Sequence, residues 1–420
     1  MLGWSRRGAI DPAVPSDQPL QPAIAPALQR ALDQTFGTAG GQITFADYMA
    51  LVLYDPQVGY YATLGDRIGP QGDFVTSPHL CTDFGELLAD QMAECWERLG
   101  RPARFDLLEM GAGQGVMAAD LLTHLQRVHP DCWAATRYQI VEASPALAAV
   151  QQARLADLPA AADRVAWTNW EAIAPESLTG CCLSNELVDA LPVHRVVWQD
   201  GHLQELYVAQ EAGQLVDRVG PLSTDRLAQY FEAVGIDFAS GAYPDGYCTE
   251  VNLAAIDWLE TVARRLARGY LLTIDYGYEA ARFYHPSRSG GTLQCYSRHA
   301  HHSDPYWQPG QQDLTAHVDF TALQRWGDRL GLATLGFTKQ SLFLMALGLG
   351  DRLAALSQGG GMANPGDLRQ ILNRRDVLHR LIDPTGLGNF GVLLQGKGLE
   401  PAALDRPLAG FTEPSGPWGH

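Results

Sequence analysis

The run Phe105-Asp106-Leu107-Leu108-Glu109-Met110 leads straight into Gly111-Ala112-Gly113-Gln114-Gly115. The apolar run predicts a buried parallel strand, and glycines at alternate positions predict a turn in which backbone comes close to a ligand. From Val116 to Val128, the residues Met117, Leu121, Leu122, Leu125 and Val128 fall on one face of a helix. Strand, glycine turn and helix in this order build a nucleotide site at the carboxyl ends of the strands of an α/β sheet. The remaining question is which nucleotide the turn holds.

A dinucleotide turn places glycines at its first, third and sixth positions, the last for close helix packing. Here the sixth position is Val116, and the third glycine is Gly115. Glu109 also stands two residues before the first glycine. A carboxylate there repels a pyrophosphate and attracts a ligand carrying an amino group and a sulfonium charge. This pattern resembles motif I of class I S-adenosylmethionine (SAM)-dependent methyltransferases, with Glu109, Gly111, Gly113 and Gly115 as cofactor-binding residues. The next strand, Tyr138-Gln139-Ile140-Val141-Glu142, also ends in an acid, followed by Ser144 as N-cap and Pro145 at the first helical position. Glu142 is placed to accept the two ribose hydroxyls of a nucleoside, a role that NAD and SAM sites share.

Further elements recur in alternation. Val165–Trp170 reads as a third strand, Gly180–Leu187 as a fourth, and Tyr270–Gly277 as a fifth. Val193–Trp198 and His202–Val208 flank Gln199-Asp200-Gly201, a hairpin signal. A helix over Leu253–Leu266 stops at Gly269. Asp319 caps another that Gly331 ends, and Ala333–Thr338 reads as an edge strand. The pattern predicts an α/β fold with a doubly wound, mostly parallel, Rossmann-like sheet. Residues 1–41 read as a flexible N-terminal tail, with periodicity only over Ala25–Phe36. Residues 42–100 form an N-terminal helical and lid segment, in which the long loop to Pro78 is rich in Gly, Asp and hydroxyls. Residues 101–349 form the core, with insertions at about 211–249 and 278–313, and 350–420 a C-terminal extension packing on it.

Charge narrows the partners. The chain has 30 basic and 47 acidic residues among 420, a net charge of −17. Nucleic-acid binding requires phosphate neutralisation, so no nucleic-acid partner is expected. No apolar run approaches the ~20 residues needed to span a bilayer. Seven cysteines, none in a Cys-x-x-Cys arrangement, fit a reducing compartment and small buried side chains. Arg6-Arg7 lacks the apolar stretch of a twin-arginine signal, and the tail is not an Arg-rich transit peptide, so a cytoplasmic location is expected.

Six separate motifs carry a closer resemblance. They are Gly72-Asp73-Phe74-Val75-Thr76-Ser77-Pro78, Leu108–Gly115, Val141–Pro145, Ser184-Asn185-Glu186-Leu187-Val188-Asp189-Ala190-Leu191-Pro192, Ile274-Asp275-Tyr276-Gly277 and Leu314–Phe320. Together they resemble the MidA family of class I SAM-dependent methyltransferases, over about Gln42 to Leu349. The family includes mitochondrial assembly methyltransferases of respiratory complex I. The resemblance implies SAM as cofactor and symmetric dimethylation of an arginine in a complex I-like (NADH-dehydrogenase-like) subunit as the activity. Two departures stand out. Relatives usually carry Gly-Pro-Gly-Arg-Gly where this chain has Ala112 and Gln114, and a glutamate where it has His79.

Arginine is a demanding acceptor, because guanidinium is protonated across the accessible pH range. Carboxylates are needed to orient one nitrogen and accept its proton. Glu186 and then Asp189, after the fourth strand, are the candidates; the other reading is that Asn185-Glu186 caps the following helix. Asn185, Asp73, Thr76 and Ser77 are expected to bind the cofactor or close over it. Asp275 and Tyr276 either face the site or satisfy backbone amides. His317 reads as a packed histidine beside an Asp319 N-cap. His299, His301, His302 and Asp304 are crowded on one loop and read as surface rather than as a zinc site, so no metal is expected. Trp96, Trp167, Trp170, Trp307 and Trp326 are dispersed and read as packing. A homodimer is expected. Two other functions compete, a SAM-binding assembly scaffold without catalysis and an NAD-dependent oxidoreductase.

Overall fold

A computed structural model describes residues 24–63, 76–158, 163–297, 300–359, 365–404 and 406–413. Its centre is a seven-stranded sheet. The strands in chain order are β1 (Phe105–Met110), β2 (Thr136–Val141), β3 (Val165–Thr168), β4 (Leu178–Asn185), β5 (Leu266–Asp275), β6 (Ala333–Lys339) and β7 (Gly391–Lys397). In space they run β6-β7-β5-β4-β1-β2-β3. β7 is antiparallel to both neighbours, and the remaining pairs are parallel. This is the class I methyltransferase sheet.

Every residue of β1 is buried, because helices cover both faces of a parallel sheet. Phe105 and Leu107 pack with the helices Thr82–Arg98 and Val116–Val128, whereas Leu108 and Met110 pack with Leu253–Arg265 and Phe320–Arg329. The alternation follows from the two-residue period of the strand. Chain reversal in the sheet (β1 leading to β2 on one side, β4 lying on the other) leaves a crevice at the carboxyl end of β1.

At the opposite end, close backbone contact replaces side chains. Asp106, Gly180 and Gly269 stand in one row across β1, β4 and β5. A Cβ on Gly180 would overlap the carbonyl oxygen of Asp106, and one on Gly269 the carbonyl oxygen of Gly180.

Three regions differ from expectation. The helix Pro26–Thr38 lies within the expected tail and buries Leu28, Leu32 and Phe36. Residues 211–249 are more than a turn-rich insertion. Gln214–Gly220 and Tyr247–Val251 join the 194–199/202–211 hairpin and Gln42–Thr44 in a five-stranded antiparallel sheet, and the helix Arg226–Val234 buries Leu227, Tyr230 and Phe231. The C-terminal extension is in part the core itself, since β7 sits between β5 and β6. The helices before it are also tied down: Arg352 Nη1 and Arg374 Nη2 each donate to Asp83 Oδ1 at 2.8 Å. No described helix is long and apolar enough to cross a membrane.

Gly180→Val is expected to lower the stability of the fold by about 3 kcal/mol or more, because the intruding atoms meet backbone that cannot move aside. Urea unfolding measures this, and an unchanged midpoint would contradict the close approach.

Candidate active site

The turn after β1 is held open by backbone conformation. Gly111, Gly113 and Gly115 all have positive φ, at 69°, 52° and 74°. They line or support a cavity of about 300 Å³ over the carboxyl ends of β1, β2 and β4. A Cβ at Gly113 would meet no protein atom within 4 Å, and Gly113 lines the cavity. Gly115 has a different task from the one expected. It packs on Gln151 and N-caps the helix Val116–Val128 without lining the cavity.

Two acids face this cavity. Glu109 is buried, accepts a hydrogen bond from the Tyr138 hydroxyl at 2.7 Å, and is pushed by burial up to about 7. Glu142 accepts from the Ser144 amide at 2.9 Å and from Gln151 Nε2 at 2.8 Å; burial raises its pKa. Ser144 is the expected cap, accepting from Leu147 N. Trp170 and Trp258 add aromatic wall, so Trp170 is more than packing. Two acceptor carboxylates, an open glycine turn and aromatic rings suit the amino group, ribose and purine of a nucleoside. Asn185 also lines the cavity, and its buried Oδ1 has no hydrogen-bond partner.

Glu186 follows β4 in a left-handed conformation, φ 51°. For a residue with a Cβ this costs about 1–2 kcal/mol and marks a side chain aimed by its surroundings. The Asn185-Glu186 pair does not cap the next turn; Asp275 does, accepting from Val188 N at 2.9 Å and Asp189 N at 3.3 Å. Glu186 Oε1 instead accepts from Ser77 N at 3.2 Å and Asn185 Nδ2 at 3.1 Å. Burial, and then the charge of Asp189, push it up to about 8.

A second cavity, of about 410 Å³, lies beyond Glu186. Glu186 and Tyr61 are the two residues that line both cavities. Asp189 and Asp313 line the second, with Tyr276, Tyr278 and His317. Asp189 is pushed by burial up to about 7, and its Oδ1 has no hydrogen-bond partner. Tyr61 donates to Asp313 Oδ1 at 2.9 Å and stacks on Tyr54. His317 lies between the Tyr276 and Tyr278 rings and is neutral, lowered to about 4 by burial and then by Arg288 and Arg282. Asp319 is turned away from it, capping the next helix through Ala322 N and accepting from Tyr230.

Other expectations sort as follows. Thr76 lines the first cavity, but the Ser77 hydroxyl does not; it is buried against Gln340, and only the Ser77 amide reaches the site. Asp73 and His299 lie outside the described residues. His301 and His302 lie on a short strand that pairs with Cys295 and Tyr296. The metal-like grouping among the described residues is elsewhere, at Asp90, His124 and His129. There Asp90 Oδ1 meets both Nε2 atoms at 2.8 Å, and Arg127 donates to His124 Nδ1.

The geometry agrees with the comparisons to known proteins. The Methyltransf_28 model of S-adenosyl-L-methionine-dependent methyltransferases matches residues 87–338. The chain belongs to the MidA family of SAM-dependent methyltransferases. It is 30% identical over 401 residues to the Drosophila melanogaster protein arginine methyltransferase NDUFAF7 homolog, mitochondrial, covering 89% of this chain and 86% of that one. The human protein arginine methyltransferase NDUFAF7, mitochondrial, is 27% identical, with 94% and 92% covered. A Burkholderia thailandensis crystal structure bound to S-adenosyl-homocysteine has a TM-score of 0.81 and 33% identity, covering 93% of this chain and 98% of that one. The cofactor is SAM, and the MidA protein described here is a methyltransferase. The expected cytoplasmic location is corrected: these relatives are mitochondrial by name, and an unrecognised address sequence is no argument against that.

The two departures from the MidA pattern touch each other. His79 Nε2 is 3.4 Å from Gln114 Oε1, and His79 Nδ1 is 2.7 Å from Thr76 Oγ1. Here a histidine whose pKa is lowered by burial meets an amide. His79 and Gln114 thus join the 76–80 segment to the glycine turn.

Gly113→Val is expected to lower affinity for SAM at least about tenfold, while strain at positive φ costs the fold about 1–2 kcal/mol. Titration calorimetry reads the affinity, and an unchanged value would contradict this placement of the cofactor.

Proposed function

We propose that this MidA protein transfers methyl groups to the guanidinium of an arginine in a protein substrate. The observation that carries the reading is the pair of cavities that meet at Glu186 and Tyr61, the second lined by Asp189 and Asp313. Glu109, Gly111, Gly113, Glu142, Thr76 and Asn185 would hold SAM, which when bound supplies the methyl group. Glu109 and Glu142 offer acceptor oxygens, and Gly113 leaves the room. Glu186 then stands where the two compartments join.

Guanidinium is a poor nucleophile because its nitrogen lone pairs are delocalised and the group stays protonated. Glu186 and Asp189 can pair with its N–H groups and fix one nitrogen toward the neck between the cavities. As the new N–C bond forms, that nitrogen must lose one proton. Glu186, with a proton affinity raised to about 8, is suited to receive it. The unpartnered Oδ1 of Asp189 is an acceptor awaiting a donor. Tyr61, held by Asp313, walls the place where the two cavities meet.

The names of the relatives, protein arginine methyltransferases, support an arginine acceptor. By family resemblance the product is symmetric dimethylarginine, and the substrate a complex I-like subunit.

Glu186→Gln is expected to reduce methyl transfer about 100-fold or more with S-adenosylhomocysteine binding retained, and Asp189→Asn about tenfold or more. Transfer of labelled methyl to an arginine peptide measures both. Only ionised carboxylates can accept the proton, so kcat/KM should rise with pH through the window of about 7 to 8 and level above it. Full activity in Glu186→Gln would remove the assigned role.

A further inference from the structure

The second cavity is acidic where it meets the first, and Tyr278 in its wall carries a group of cations that stand beside the cavity rather than in its lining. Three cations gather on the Tyr278 ring: Arg282 Cζ at 4.2 Å from its centre, Arg288 Cζ at 4.9 Å and Lys339 Nζ at 5.8 Å. Tyr278 itself lines the cavity. Among the described residues none of the three makes an ion pair with a carboxylate within 4.0 Å, in a chain whose net charge is −17. Like charges crowded on one ring repel, and the consequences are visible. Lys339 is lowered by burial and then by Arg282, with Glu279 raising it only in part. Lys339 Nζ donates to the carbonyl oxygen of Asn389 at 2.9 Å, and Asn389 is a cavity residue. Arg288 leaves its buried Nε without a hydrogen-bond partner. Cations held together with no carboxylate within 4.0 Å form a site for an anion.

We propose that Arg282, Arg288 and Lys339 form an anion subsite beside the acceptor cavity, across the Tyr278 ring, which selects an arginine with an aspartate or glutamate close to it in the same protein. The inference rests on the arginine-acceptor reading above. The guanidinium is drawn to Glu186 and Asp189, while the carboxylate pairs with the cations around Tyr278. Acids inside the cavity and cations beside it fix the direction in which the acceptor segment enters. An arginine flanked by lysines, by contrast, is repelled at the Tyr278 end.

The test uses the full chain saturated with S-adenosylhomocysteine and two peptides that differ only in glutamate or glutamine near one arginine. The glutamate peptide is expected to bind roughly five- to tenfold more tightly at low salt, with the preference shrinking as salt is added. In an Arg282→Gln/Arg288→Gln variant the preference should vanish while S-adenosylhomocysteine affinity, which certifies the fold, is unchanged. Equal binding of the two peptides, or a preference that survives in the variant, would overturn the subsite. Free arginine, bound as tightly as the glutamate peptide and released by the variant, would overturn the assignment to a protein carboxylate. Methyl transfer separates this inference from the one beneath it. Equal transfer to both peptides removes the subsite alone, whereas selective binding without any transfer to arginine leaves the subsite standing and removes the arginine-acceptor reading.

Discussion

The site is organised around buried negative charge with no positive partner. Glu109, Glu142, Glu186, Asp189 and Asp275 are gathered at the carboxyl ends of the strands, and burial raises the pKa of each. None makes an ion pair among the described residues; hydrogen bonds from Tyr138, Gln151, Asn185 and backbone amides are what they have. Removing a carboxylate from water without a counter-ion is unfavourable, so burial favours the protonated form of each and an arriving cation favours the ionised one. The ligands proposed for the two cavities are cations: a sulfonium and an ammonium on one side, a guanidinium on the other. A protein that carried its own arginine here would be more comfortable without ligand and useless with it.

The parallel sheet makes this arrangement tolerable. β1, β4 and β5 are fixed at their far ends by the row of Asp106, Gly180 and Gly269, where backbone meets backbone. The near ends carry positive φ values of their own, in the glycine turn and at Glu186. Asp275 is spent on the amides of Val188 and Asp189, which leaves Glu186 and Asp189 to face outward. The cofactor side is made of consecutive strand tips. The acceptor side is assembled from segments distant in sequence: Tyr61, Tyr276, Asp313, His317 and the 385–390 segment.

That difference governs how much could be read from sequence. The helix Val116–Val128 is legible to the residue and the strand Phe105–Met110 nearly so, because the period of apolar residues and the glycines both act locally. Glu109, Glu142 and the Ser144 cap were legible for the same reason. Tyr61 and Asp313 were not, since nothing local announces that two residues 252 apart will hydrogen-bond. Ser77 was misread because motif membership does not reveal whether a hydroxyl or an amide faces the site. β7 was missed although Gly391-Val392-Leu393-Leu394-Gln395-Gly396 has the apolar run and flanking glycines of a strand; its place inside the sheet depends on pairing with residues more than a hundred positions earlier. The hairpin at Asp200-Gly201 was clear, but its recruitment of Gln42–Thr44 and Gln214–Gly220 into one sheet required the fold.

The claim that the site is short of positive charge has a direct measure in the protons exchanged when SAM binds. Titration calorimetry at pH 7, repeated in buffers of different ionisation enthalpy, counts them. A carboxylate held near half-protonation by burial, as Glu109 is at about 7, must release its proton when a cation arrives. Net proton release on SAM binding, larger than for S-adenosylhomocysteine and much reduced in Glu109→Gln, is the expected result. No exchange, or proton uptake, would show that the buried acids are already ionised and that charge does not organise this site.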